Sequence, residues 1–99
     1  MRKIAVVQRN ETTEAEYKAN REKAGEYFAK NMAASGFAIL DVWVRDFNSR
    51  PFKQKLTVLV EMVEESDVVY FVPGWLQDPM CRILHEVAVM LKKTIVEGE

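Results

Sequence analysis

Short apolar segments alternate with longer segments of helical periodicity along these 99 residues, and this alternation restricts the fold more than any other feature. The apolar segments are rich in β-branched residues and are bounded by polar ones, which is typical of strands buried on both faces of a sheet. Strands that alternate with helices form a parallel sheet with helices on both of its faces. The predicted strands are residues 4–8, 37–44, 68–72 and 94–96.

Three helices are predicted between these strands. Thr13 and Glu16 fit a capping box, so the first helix should begin near residue 14, and Gly36 should end it. Residues 53–65 are ambiguous, because their valines favour a strand while their apolar residues also recur at helical spacing. We predict a helix there, since a helix can connect two parallel strands. Asp78 should cap a third helix, whose buried stripe is predicted to be Ile83, Leu84, Val87, Ala88 and Leu91.

Right-handed crossovers allow few orders for four parallel strands, and the order 2-1-3-4 is the simplest. We therefore predict a single α/β domain over residues 1–99, with a small flavodoxin-like parallel sheet of four strands in that order and helices on both faces. In such sheets ligands bind at the carboxyl ends of the strands, near the switch point between strands 1 and 3. Three loops are expected to carry a site: residues 8–13, 45–51 and 73–79.

The composition excludes several classes of protein. A formal net charge of −1 gives no general attraction to nucleic acid or to an anionic membrane. One cysteine and one histidine do not support a zinc site, and the phosphate-loop and dinucleotide fingerprints are absent, so we expect no metal and no cofactor. The longest apolar run is far shorter than a membrane span, and a single cysteine is typical of a reducing compartment. We therefore expect a cytoplasmic protein.

The three loops offer residues that could bind a ligand. Gly74 permits a close approach of the backbone to a ligand, and Trp75 offers a flat face for a base or a sugar. Arg9 could meet an anionic group, and Asn10 could bond the edge of a base. Arg45 could join Arg9 in a local basic pocket. The alternative is that the glycine only makes a turn, the tryptophan packs on the core and the arginines are solvated.

Residues 67–75 read Asp-Val-Val-Tyr-Phe-Val-Pro-Gly-Trp, and the following helix carries Glu86 and Ala88. This pattern resembles the short nucleoside 2-deoxyribosyltransferase-like proteins of phages and bacteria. In those proteins an Asp, an apolar strand and a Gly-Trp loop precede a Ser-x-Gly-Ala stretch and a helix with a glutamate four residues before an alanine. The close match covers residues 67–96. The resemblance implies a small domain, in the bacterial cytoplasm, that binds nucleosides or nucleotides at its strand ends.

Enzymes of the resembling family cleave or exchange an N-glycosidic bond through a glutamate that attacks the anomeric carbon. In this chain the position four residues before Ala88 is Leu84, so the resemblance implies that the usual transfer activity is lost. Glu86 is the nearest carboxylate and the candidate catalytic residue. It lies 200° from Leu84 around the helix, and the alternative that it is simply solvated is favoured. The resembling enzymes complete their sites across subunits, so a homo-oligomer, at least a dimer, is expected.

Asp78 stands at the serine position of the resembling stretch. In family members that take free nucleosides, an Asp there holds sugar hydroxyls, and a carboxylate at a helix start repels phosphate. A pocket containing Arg9, Arg45 and Arg50 would instead suit a polyphosphate or an ADP-ribose-like ligand. The sequence leaves this conflict open.

Cys81 and His85 are neighbours on one face of the last helix, because they are four residues apart. Such a pair could act as nucleophile and base. The favoured alternative is a small packed cysteine beside a histidine at the core boundary.

Three functions remain open. The first, which we favour, is a nucleoside- or nucleotide-binding protein without the usual glycosyl transfer, which sequesters or senses a nucleotide-derived ligand. The second is an active deoxyribosyltransferase or N-glycosidase whose carboxylate is displaced to Glu86, to Asp78 or to a neighbouring subunit. The third is a structural or interaction module that has lost the pocket.

Overall fold

A computed structural model describes residues 2–9, 13–32, 36–40 and 49–98. Its four strands are all parallel and lie in the order β2-β1-β3-β4, which confirms the predicted fold class and strand order. The ambiguous segment after residue 51 is a helix, as predicted. The elements are β1 (Arg2–Val7), α1 (Glu14–Met32), β2 (Phe37–Leu40), α2 (Phe52–Glu65), β3 (Val68–Phe71), a 3-10 turn (Trp75–Gln77), α3 (Pro79–Met90) and β4 (Thr94–Glu97).

The core lies on both faces of the sheet, because successive side chains of a strand point to opposite faces. Ile4 and Val6 of β1 pack with Ala24 and Phe28 of α1 on one face. On the other face, the alternate residues of β1 and β3 pack against α2 and α3. β3 is therefore buried along its whole length and β1 from Ile4 onwards, which explains why the sequence shows continuous rather than alternating apolar runs.

Two features at the ends of α1 agree with the sequence pattern. The N–H of Glu16 donates to the Thr13 hydroxyl at 3.2 Å, so α1 begins where the capping pattern places it. Gly36 adopts a φ of +73°, the left-handed conformation that favours glycine after a helix. Residues 41–44, which belong to the predicted second strand, lie outside the described residues.

The predicted buried stripe of α3 is correct at its centre and wrong at its edges. Leu84 and Ala88 are fully buried, whereas Ile83 and Leu91 are 39% and 44% exposed. The residues that are buried with Leu84 and Ala88 are Met80 and Cys81. The helix therefore turns its N-terminal part further towards the sheet than the apolar pattern alone indicates.

Asp67, the acidic residue that begins the resembling motif, joins β1 to β3 at the amino edge of the sheet. Its carboxylate accepts a hydrogen bond from the backbone N–H of Lys3 at 2.8 Å, and its own N–H donates to the Lys3 carbonyl at 2.7 Å. This edge is opposite to the carboxyl ends of the strands. The structure therefore gives Asp67 a strand-pairing role, away from the predicted site.

None of the helices in the described part of the chain combines the length and the apolar character needed to cross a membrane.

Candidate functional site

The loop after β1 and the loop after β3 meet at the carboxyl edge of the sheet. Gly74 has a φ of +91° and is followed by the 3-10 turn. A Cβ placed on Gly74 would lie 3.5 Å from Cδ of Arg9, so the side chain of Arg9 lies against this turn. The structure therefore brings together two of the residues predicted for a site. Replacement of Gly74 would be strained by its φ rather than by lack of space.

A pocket of about 280 Å³ opens on the α1 side of this edge, and we call it the α1 pocket. The N-terminal half of α1 forms one wall, and the end of β3 and the loop after it form the other. The described residues that line it are Arg9, Glu16, Ala19, Asn20, Lys23, Tyr70, Val72 and Pro73.

A larger pocket of about 540 Å³, the α3 pocket, opens at the start of α3. Its lining among the described residues consists of Arg9, Glu16, Phe52, Gln77, Asp78, Pro79 and Met80. Arg9 and Glu16 belong to both linings, so the two pockets share one boundary. The α3 pocket lies within the range of volumes that small-molecule sites occupy.

Asp78 both caps α3 and lines the α3 pocket. Its Oδ1 accepts hydrogen bonds from the backbone N–H groups of Met80 at 2.8 Å and Cys81 at 3.4 Å, and Pro79 is the first helical residue. This confirms the predicted cap. A carboxylate can accept further hydrogen bonds, so the capping role is compatible with a contact between Asp78 and a ligand.

The side chain of Trp75 is packed against neighbouring rings rather than exposed to solvent. The residue is 9% exposed, and its ring stacks on His85 with ring centroids 4.5 Å apart and 11° between the planes. Phe71 contacts both rings, with centroids 5.0 Å from each. The packing role that the sequence left as an alternative is therefore present, and a contact of Trp75 with a ligand stays a prediction.

Cys81 is buried, and its Sγ donates to the Gln8 carbonyl at 3.2 Å. Burial, and then the negative charge of Asp78, raise the pKa of Cys81 to about 12, although Arg9 acts in the opposite direction. A thiol with this pKa is protonated near neutral pH and is a poor nucleophile. The ring of His85 is stacked on Trp75. These contacts favour the packed alternative for the Cys81–His85 pair.

Leu84 and Glu86 lie on opposite sides of α3, as their spacing predicts. Leu84, where the resembling enzymes carry a glutamate, is fully buried among residues of the sheet and α2. Glu86 is exposed, and the described linings of the two pockets do not include it. The geometry therefore favours the solvated alternative for Glu86, and its catalytic role stays a prediction.

Three polar residues of α1 were not predicted as part of a site. Glu16, Asn20 and Lys23 line the α1 pocket together with Ala19. Their positions i, i+3, i+4 and i+7 place them on one face of the helix, and this spacing was visible in the sequence. A polar stripe on a helix is normally solvated, so the spacing alone did not identify a pocket wall. Asn20 is held in place, because its Nδ2 donates to Oε1 of Gln8 at 2.9 Å.

Two of the predicted ligand-binding residues, Asn10 and Arg45, lie outside the described residues. Within the part of the chain that is described, no three or more histidine, cysteine, aspartate or glutamate residues are grouped so that they could hold a metal ion.

The chain matches no protein-family model, and no curated protein or solved structure is significantly similar to it.

Proposed function

We propose that this chain binds a nucleoside or nucleotide at the carboxyl edge of its sheet, and that it does so without the usual glycosyl-transfer chemistry. The observation that carries the proposal is the contrast between two residues of α3. Asp78 lines a pocket large enough for a nucleoside, whereas Leu84 lies in the core. The site thus keeps a group that can hold sugar hydroxyls and offers no nucleophile at the position where the resembling enzymes carry one.

The electrostatics of the α3 pocket support a ligand with hydroxyl groups at the Asp78 end. Asp78 and Glu16 are hydrogen-bond acceptors when they are ionised, and sugar hydroxyls are donors. The side chain of Phe52 is 49% exposed and lines the same pocket, so it offers an apolar surface to a base. A binding protein of this kind would sequester or sense a nucleotide-derived compound.

A thermal-shift screen tests the proposal directly. We expect at least one compound among free nucleosides, nucleotides and ADP-ribose to raise the melting temperature, because a ligand that binds only the folded state stabilises it. Asp78→Asn should weaken the shift for a free nucleoside while preserving the helix cap, since asparagine caps as well as aspartate. If no compound in the panel shifts the melting temperature, the chain is better described as an interaction module that has lost its ligand.

A second candidate function is an N-glycosidase or transferase with a displaced carboxylate. The observation that favours it is that Glu16 and Asp78 line the same pocket, and glycosidic bonds are commonly cleaved between two carboxylates. Chromatography of nucleosides and nucleotides incubated with the protein would detect the free base. Base release that is lost in Glu16→Gln, Asp78→Asn or Glu86→Gln would establish this function in place of binding alone, and the variant that loses it would identify the carboxylate.

A further inference from the structure

The two pockets differ in the charges that line them. Among the described residues that line the α1 pocket, Arg9 and Lys23 accompany one carboxylate, Glu16. Among those that line the α3 pocket, Arg9 accompanies two carboxylates, Glu16 and Asp78. The α1 pocket therefore favours an anionic group, and the α3 pocket favours a neutral, hydroxyl-bearing one. For the described residues, the preference for hydroxyl groups near Asp78 and the preference for an anion near Lys23 lie on different sides of Arg9.

The α1 pocket also has an apolar floor. Tyr70 and Val72 are 7% and 6% exposed and lie on the α1 face of the sheet. The ring of Tyr70 packs edge-to-face against the ring of Phe28, with ring centroids 5.9 Å apart. Burial raises the pKa of Tyr70, so its hydroxyl carries no charge near neutral pH. A preformed neutral floor below charged rim residues suits a ring that carries an anionic substituent.

We infer that the ligand is bipartite: a nucleoside in the α3 pocket, joined by a phosphate link beside Arg9 to a second ring in the α1 pocket beside Lys23. The ligand class is thus a nucleoside diphosphate linked to a sugar, of the ADP-ribose or UDP-glucose type. Glu16 lies on the shared boundary, and its negative charge repels the phosphates. The attraction of the pocket for the phosphates therefore depends on both Arg9 and Lys23. This inference rests on the proposed function, since it assumes that a nucleoside occupies the α3 pocket.

Calorimetric titration can compare matched ligands. The probes are adenosine, guanosine, uridine and thymidine, their 5′-monophosphates, and ADP-ribose, GDP-mannose, UDP-glucose and dTDP-glucose. We expect one nucleoside to bind and its diphosphate-linked form to bind about tenfold more tightly at low salt, because phosphate contacts to cations are charge-assisted. The monophosphate should show only part of that gain, since it does not reach the floor of the α1 pocket.

Lys23→Gln is the decisive variant. It should lower the affinity for the diphosphate-linked ligand about fivefold and leave the affinity for the free nucleoside unchanged. Lys18→Gln is the matched control, because Lys18 is exposed on the same helix, pairs with Glu14 at 3.6 Å and is outside the lining of the α1 pocket. Both lysines are exposed, so both variants should fold, and their melting temperatures should confirm it.

The outcomes separate the inference from the proposed function. If a nucleoside binds but the diphosphate-linked form is no tighter, or if Lys23→Gln behaves like Lys18→Gln, the bipartite ligand is refuted and nucleoside binding stands. A monophosphate with the full gain in affinity would refute the second subsite in the same way. If neither nucleosides nor their derivatives bind, both proposals fall.

Discussion

Cys81 shows how burial, with a smaller effect of the nearby Asp78 carboxylate, sets the chemistry of a side chain. With its pKa raised to about 12, the thiol should not react with a disulfide reagent at pH 8 on the timescale of minutes, and it should react at once when the chain is unfolded. A spectroscopic thiol assay with and without denaturant measures both rates. Rapid labelling of the folded protein would contradict the buried position.

The same residue predicts a dependence of stability on alkaline pH. The pKa of Cys81 is higher in the folded state than its ordinary value of 9.0, so its contribution to stability is complete below pH 9 and is lost as pH rises towards 12. Between pH 8 and pH 10 the free energy of unfolding should fall by about 1 kcal/mol more in the native chain than in Cys81→Ala. Denaturant titrations at the two pH values measure this difference, and equal losses in both proteins would contradict it.

Gly98 is required by the close approach of Tyr70. A Cβ on Gly98 would lie 2.5 Å from the Tyr70 hydroxyl oxygen and 3.0 Å from Cδ of Pro73. We expect Gly98→Ala to destabilise the protein by about 1 kcal/mol, as measured by denaturant titration. Gly25→Ala is the control, because nothing lies within 4 Å of a Cβ there and alanine is favoured within a helix, so it should stabilise by about 0.5–1 kcal/mol.

A double variant tests the cause of the Gly98 effect. Tyr70→Phe removes the atom closest to the new Cβ, so it should restore part of the stability lost in Gly98→Ala. Purely additive effects of the two changes would show that the contact between them is not the cause.

At the scale of elements, α3 depends on its first residues. The Asp78 carboxylate accepts hydrogen bonds from two backbone N–H groups that would otherwise have no partner within the helix. Asp78→Ala should lower the free energy of unfolding by about 1 kcal/mol, whereas Asp78→Asn should retain most of it. Denaturant titrations at neutral pH check the difference. Equal losses in the two variants would show that asparagine does not replace the aspartate as a cap, and would remove Asp78→Asn as a clean test of ligand binding.

The helices differ in how completely their sequences predict them. The start of α1 at Thr13 and the start of α3 at Asp78 were predictable, because a cap and the first turn involve residues only a few positions apart. The buried face of α3 was predicted less well, because Ile83 is as apolar as its buried neighbours. Which of several apolar residues faces the sheet depends on how the helix lies across it, and local spacing does not contain that information.

At the scale of the whole molecule, we expect self-association. The outer strands β2 and β4 and the exposed side of α3 offer surfaces for a second copy, and Met90 of α3 is 78% exposed. Sedimentation equilibrium should give at least twice the monomer mass of 11.4 kDa. Met90→Glu should shift the protein towards the monomer, while Thr57→Glu, which adds the same charge on the exposed side of α2, should not. A monomeric native chain at working concentration would contradict this expectation.

The sequence by itself determined the α/β class, the strand order and the helix caps. Short β-branched apolar runs bounded by polar residues favour strands buried in a sheet, right-handed crossovers leave few strand orders, and caps are local. Only the tertiary structure decided which polar residues line a pocket. Glu16 and Lys23 of α1 could equally be solvated, and they line a pocket because α1 crosses the sheet beside Tyr70, about 50 residues away along the chain. It also decided that Trp75 stacks on His85 and that Ile83 is exposed while Met80 is buried. Such contacts join residues through the packing of whole elements, which no local pattern specifies.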